Sequence, residues 1–213
     1  PLFDNRHTGE RLRKDGERPV VFFASTFSRS VTAAPELLST IAGLSQGNRW
    51  RFIVTLHPKM DPAITDQYRS LAGPNLRFVE SHEDLLPILP EADVMLCDTS
   101  SIMFEFMFLD RPVVTLNTKM PGPYLIDVSS PERVEQALDA AMARPPELMS
   151  AARALCDDLH EFRDGNASAR VIDAVDEFFA GGKNGLKRKP LNILRKIKVR
   201  RRLKRELRKS GER

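Results

Sequence analysis

The chain is short of cysteine, tryptophan and tyrosine: of 213 residues, 2 are Cys, 1 is Trp and 2 are Tyr. Cys97 and Cys156 stand far apart in apolar or helical contexts. That argues against a disulfide framework and predicts two reduced, buried thiols, as in a cytoplasmic protein. No apolar run approaches the roughly 20 residues that would span a bilayer, and no signal peptide is visible at the start. The opening at Pro1, without Met, is what a processed or truncated piece would show. No His, Cys, Asp and Glu residues recur at metal-ligand spacing. There is no G-x-G-x-x-G, no G-K-[ST] and no G-x-S-x-G. Kinase, dehydrogenase and hydrolase readings therefore lack their usual parts.

Charge is present but unevenly placed. The formal net charge is +4. Residues 183–213 hold 15 Lys and Arg against 2 Asp and Glu, so that tail is +13 and the remaining body is −9. Such asymmetry marks a tail that meets a polyanion.

Before the tail, strand and helix patterns alternate. Strands are predicted over Val20–Ala24, Phe52–Leu56, Leu76–Val79, Asp93–Cys97 and Pro112–Leu116. Helices are predicted over Ala34–Leu44, from Asp61-Pro62 to Gly73, over Ser100–Leu109, from Ser130-Pro131-Glu132, over Leu148–Leu159 and from Asn166 to Gly181-Gly182. A short helix capped by Ser81 is expected to carry Leu85, Leu86 and Ile88. Nearly continuous apolar strands between helices predict an α/β fold, a Rossmann-like parallel sheet with helices on both faces. The expected organisation is an unpatterned amino-terminal segment over residues 1–19, an α/β domain over 20–182 and a basic tail over 183–213.

In open parallel sheets ligands bind outside the carboxyl ends of the strands. Three polar strand ends, Ser25-Thr26, His57 and Asp98-Thr99-Ser100, should then share one edge. The run Val94-Met95-Leu96-Cys97-Asp98-Thr99-Ser100-Ser101 delivers two hydroxyls to a helix start, whose amides suit a phosphate. Each residue also has a plainer reading. His57 before Pro58 could cap a turn, and Ser100 and Ser101 could be ordinary helix caps. Glu105 could meet a ribose or lie on a polar face. His82 and His160 read as exposed, and His7 lies in an unpatterned segment.

Leu56-His57-Pro58, Ala92-Asp93-Val94, Asp98-Thr99-Ser100-Ser101-Ile102-Met103-Phe104-Glu105-Phe106, Leu109-Asp110-Arg111-Pro112-Val113-Val114 and Asp164-Gly165-Asn166-Ala167-Ser168-Ala169-Arg170 together resemble the CDP-glycerol glycerophosphotransferases of teichoic-acid and capsule synthesis. Pro1-Leu2-Phe3 resembles the end of that family's inter-domain segment. The resemblance covers roughly residues 1–180 and implies the carboxyl-terminal, donor-binding half of a glycosyltransferase-B-type fold. It implies that His57 contacts the donor pyrophosphate as a candidate acid. Ser100 and Ser101 would bind phosphate, Glu105 would lie near glycerol or ribose, and Thr26, Arg29, Asp98 and Thr99 would line the donor site. Two residues depart from the family's pattern: Thr99 stands where Tyr is more usual, and Arg29 is displaced by one position.

The implied reaction transfers glycerol phosphate from CDP-glycerol, a substrate and not a cofactor, to a hydroxyl on a lipid-linked or polymer acceptor, releasing CMP. No cofactor and no metal are called for. The general base belongs to the missing amino-terminal half, so this chain by itself is expected to bind donor without turning it over. Alternatives on the same fold are a UDP-N-acetylglucosamine 2-epimerase-like or sialyltransferase-like enzyme, or a non-catalytic nucleotide-binding remnant. For the tail, three readings stand: an amphipathic basic anchor on anionic lipid, a nucleic-acid binder, or a solvated extension. The tail has no aromatic residue, which disfavours base stacking and makes nucleic acid the weaker partner. The expected location is cytoplasmic, peripheral on the inner face of the membrane.

Overall fold

The computed structural model describes residues 17–162, 164–181 and 191–209. The expectations for residues 1–16, His7 among them, and for residues 182–190 lie outside the described residues. Within the first of two compact units, Pro1–Ala167, the chain alternates strand and helix. The elements are β1 (Val20–Ser25), α1 (Ala34–Gln46), β2 (Arg51–Leu56), α2 (Pro62–Ser70), β3 (Leu76–Val79), β4 (Val94–Cys97), α3 (Ile102–Met107), β5 (Val113–Leu116), β6 (Ile126–Val128), α4 (Val134–Met142) and α5 (Pro146–Leu159).

The six strands pair in parallel in the order β3-β2-β1-β4-β5-β6. This is the doubly wound, Rossmann-like arrangement, whose strand order reverses between β1 and β4. Side chains alternate between the two faces of each strand. Val21, Phe23, Val54, Leu56, Val94 and Leu96 pack with Leu37 and Ile41 of α1, Tyr68 of α2 and Leu138 of α4. Phe22, Ala24, Ile53, Met95 and Cys97 pack with Leu89, with Met103 and Phe106 of α3 and with Cys156 of α5. Every residue of β1 is buried, as a central strand covered on both faces must be. Cys97 and Cys156 are buried and are not joined in a disulfide.

Three local expectations change. No α-helix follows Ser81: residues 81–88 run through turns into a single 3-10 turn, Leu89–Glu91. Pro87 and Pro90 stand too close together for an α-helix to form around them. The helix after β4 is confined to Ile102–Met107. A sixth strand, β6, is present; it is short and has Asp127 at its middle, so its apolar pattern is faint.

The second unit is Ser168–Arg213. The helix α6 (Ala167–Ala180) begins at the boundary and buries none of its residues. The second helix here, α7 (Ile193–Lys209), is rich in Lys and Arg. No helix among the described residues is long and apolar enough to cross a membrane.

Candidate functional site

Register decides what reaches the carboxyl edge of the sheet. Ser25 lies beside Leu56, Ala24 beside Cys97, and Thr55 beside Val79. One residue further along, His57, Glu80 and Asp98 therefore emerge together next to Ser25. A cavity of about 200 Å³ opens there, at the point where strand order reverses. Its walls include Ser25, His57, Glu80, Ser81, Ser100 and Ser101, with Leu85 and Ile102 giving an apolar side.

His57 is exposed and held in place from two directions. The Lys59 backbone N–H donates to its Nδ1 at 3.0 Å. The Phe27 ring packs on it with centroids 4.4 Å apart. An accepting Nδ1 places the proton of the neutral ring on Nε2, which is thereby a donor for a ligand oxygen. Lys59 Nζ lies 5.6 Å from the Phe27 ring centroid, so a cation backs the same aromatic wall.

Asp98 is fully buried and faces inward. It accepts from the Ser25 hydroxyl at 2.5 Å, from the Thr26 N–H at 3.1 Å and from the Ala33 N–H at 3.0 Å. The Ser25 and Thr32 hydroxyls share a further bond of 2.9 Å. One carboxylate thus pins both ends of the loop between β1 and α1, the loop that presents Phe27. Burial pushes the Asp98 carboxyl above its ordinary value, and the bonds from Ser25, Ala33 and Thr26 only partly offset this.

Ser101 occupies the N-cap position of α3, yet its side chain makes no capping bond. The plain helix-cap reading therefore does not describe it. Thr99 turns toward the loop after β5: its hydroxyl accepts from the Lys119 N–H at 2.9 Å and lies 3.4 Å from Thr118 Oγ1. Glu105 is half-buried on α3, and burial raises its carboxyl above the usual range.

The structure thus brings His57, Ser100 and Ser101 into one cavity. Thr26, Asp98, Thr99 and Glu105 are not among its walls. Arg29 lies in a neighbouring groove with Phe27, Lys59 and Asp61, its side chain almost fully exposed and 3.9 Å from Asp61. Ser25, expected at this edge as a strand end, lines the cavity, and Glu80, Ser81 and Glu83 are cavity residues not picked out from the sequence. The signal for Glu80 was available, since it directly follows β3 as His57 follows β2. Its carboxylate is engaged by Arg69 at 2.7 and 3.0 Å, which holds its pKa below the usual range. Among the described residues, no three His, Cys, Asp or Glu side chains gather where they could hold a metal.

Comparison with solved structures places this arrangement among known folds. A structure of the wall teichoic acid polymerase TagF with CDPG superposes with a TM-score of 0.54 at 16% identity, covering 83% of this chain and 48% of that one. The Anabaena protein HepE in complex with UDP-glucose gives 0.51 at 13% identity over 83% of this chain and 55% of that one. The UDP-GlcNAc 2-epimerase from Neisseria meningitidis bound to UDP-GlcNAc gives 0.50 at 16% identity over 76% and 45%. At these identities the likeness is one of fold, and the chain spans about half the length of the structures it matches. No curated protein matches the chain in sequence. The model of one family, the CDP-glycerol:poly(glycerophosphate) glycerophosphotransferases, matches residues 8–177. With most of its length so matched, and with the His57-Pro58 and Ser100-Ser101 elements meeting in one cavity, this chain belongs to that glycerophosphotransferase family.

Proposed function

We propose that this chain forms the donor-binding half of an enzyme that transfers glycerol phosphate from CDP-glycerol to a hydroxyl of a lipid-linked or polymer acceptor, in cell-envelope polymer synthesis at the inner membrane face. The observation that carries the reading is the convergence of His57, Ser100 and Ser101 on one cavity at the switch point of the sheet.

The chemistry follows from those groups. The acceptor oxygen attacks the β-phosphorus, the bond from that phosphorus to the bridging oxygen breaks, and CMP departs. Such a transfer depends on positioning and on stabilising charge at the phosphate oxygens. The Nε2–H of His57 suits the bridging or leaving oxygen, and the serine hydroxyls suit the non-bridging ones. Leu85 and Ile102 offer an apolar wall for the flat base. The cavity is smaller than the roughly 300–1,000 Å³ of complete small-molecule sites. That supports a site whose remaining wall, and whose base for the acceptor hydroxyl, come from a second domain.

The UDP-sugar complexes among the similar structures support a second reading, in which the donor is a uridine nucleotide. Calorimetric titration with CDP-glycerol, CMP and UDP-N-acetylglucosamine separates the two. We expect cytidine-selective binding that is weakened at least tenfold by His57→Ala and by Ser100→Ala/Ser101→Ala. Preference for the uridine nucleotide would overturn the donor assignment. Absence of all binding by a folded chain would leave a site that needs its second wall, or a remnant that has lost its nucleotide.

A further inference from the structure

We infer that α7 is a membrane-surface helix that lies on bilayers rich in anionic lipid. The inference stands on α7 alone and is independent of the donor reading.

Composition supplies the first argument. Over residues 193–209 the helix carries ten Lys and Arg against one acid. Lys196, Arg200 and Lys204 follow one another at four-residue spacing, as do Lys198 and Arg202. Like charges at that spacing oppose a helix in water, so a surface of opposite charge is what favours it. Residues 1–182 carry −9, so attraction to an anionic surface falls to the tail.

Exposure supplies the second. Ile193, Leu194, Ile197, Val199 and Leu203 are all solvent-exposed, at 41–84%. At 100° per residue they fall within an arc of roughly 220°, while Arg195, Lys198 and Arg202 occupy the opposite side. Lys196, Arg200 and Lys204 lie inside the apolar arc, where long basic side chains can lay their stems along apolar groups and keep their charges at headgroup depth. An anionic bilayer surface satisfies both sets at once, charge at the headgroups and aliphatic groups at the acyl boundary. A nucleic acid would satisfy only the charge. It offers the aliphatic arc nothing to pack on, and the tail has no aromatic residue to stack on a base.

The test is co-sedimentation of the whole chain with phosphatidylcholine vesicles, with vesicles in which roughly a third of the lipid is phosphatidylglycerol, an anionic surface that attracts basic segments, and with a single-stranded oligonucleotide. The variants are Leu194→Ser/Ile197→Ser/Val199→Ser/Leu203→Ser and Lys196→Gln/Arg200→Gln/Lys204→Gln. Far-UV spectra and urea unfolding of the body confirm that each variant is folded. We expect binding to the anionic vesicles alone, about tenfold weaker in each variant and weakened by added salt. Binding indifferent to the aliphatic substitutions, or oligonucleotide binding as strong as vesicle binding, would overturn the inference in favour of a general polyanion contact. No vesicle binding by a folded chain would also overturn it. The substituted residues do not line the donor cavity, so donor titration of both variants should match that of the parent, and failure here is distinct from failure of the donor assignment.

Discussion

Strand β4 lies between two aspartates, and each grips β1. At the amino edge Asp93 accepts from the Val20 N–H at 2.8 Å and lies 3.8 Å from the largely buried Arg111. At the carboxyl edge Asp98 accepts from Ser25, Thr26 and Ala33, all neutral donors. One buried carboxylate has a cation as its neighbour; the other is held by backbone amides and a hydroxyl. The amino-edge tie fastens the start of β1 to β4. The carboxyl-edge tie positions a loop, and that loop buttresses His57. Two residues that look alike in sequence thus differ by what they hold: Asp93 ties the first residue of β1, and Asp98 ties the loop whose Phe27 packs on His57.

Removing the two carboxylates should separate these roles. Asp98→Ala strands the Thr26 and Ala33 N–H groups and takes the closest acceptor from the Ser25 hydroxyl, so we expect a stability loss of roughly 3–5 kcal/mol in urea unfolding, with donor binding lost as well. Asp93→Ala should cost roughly 2–3 kcal/mol, for Val20 N–H and for Arg111, yet leave donor affinity unchanged when measured well below the unfolding midpoint. Equal effects of both variants on affinity would erase the distinction between the edges.

His57→Ala tests the carboxyl edge without touching the core. The ring is exposed, so the change in stability should stay within about 0.5 kcal/mol. Loss of a hydrogen bond to a charged phosphate, worth roughly 1.5–3 kcal/mol, should weaken donor binding about 10- to 100-fold. Phe27→Ala leaves the imidazole and its Nδ1 bond in place and removes only the ring packed on it. A smaller loss of about three- to tenfold is expected, since such ring contacts are worth roughly 0.5–1.5 kcal/mol.

The smallest effect is a pH slope. Burial raises the Asp98 carboxyl from 3.8, so the folded state holds that proton more tightly than the unfolded chain does. The stability it contributes is fully present below the unfolded value and is lost as pH rises through the folded one. Asp110 has the opposite sign. Burial acts to raise it, but Arg153 and Arg144 together bring it below 3.8. Its contribution is present above the unfolded value and is lost as pH falls through the folded one. Subtracting the pH–stability curve of Asp98→Asn from that of the parent should give a difference that falls with pH, and Asp110→Asn one that rises. Parallel slopes would refute the assigned environments.

The alternation of strand and helix was legible because both faces of the sheet are covered, which makes each strand a compact apolar run such as Val20–Ala24. The short β6 was not, because three residues with Asp127 at the centre carry no period. The turn over residues 81–88 was misread because Leu85, Leu86 and Ile88 look helical while Pro87 and Pro90 bar a helix. Of the site, the strand-end rule placed His57, Ser100 and Ser101 on one edge. It could not tell which way a side chain turns. Asp98 and Thr99 sit at the same edge and are used inward, toward the loops after β1 and β5, and spacing along one strand contains no information about partners 65 or 20 residues away. Glu80 was missed because the rule was applied to three strands and stopped short of β3.

The grip of Asp98 also makes its partners informative about motion. The Thr26 and Ala33 amides end on the same carboxylate, and Asp98 itself lies two residues before Ser100 in the chain. Their hydrogen–deuterium exchange therefore requires that grip to release. A ligand that steadies the turn after β4 should slow exchange at Thr26 and Ala33 together, even though neither residue lines the cavity. A pair of amides outside the cavity can in this way act as a clock for its occupancy.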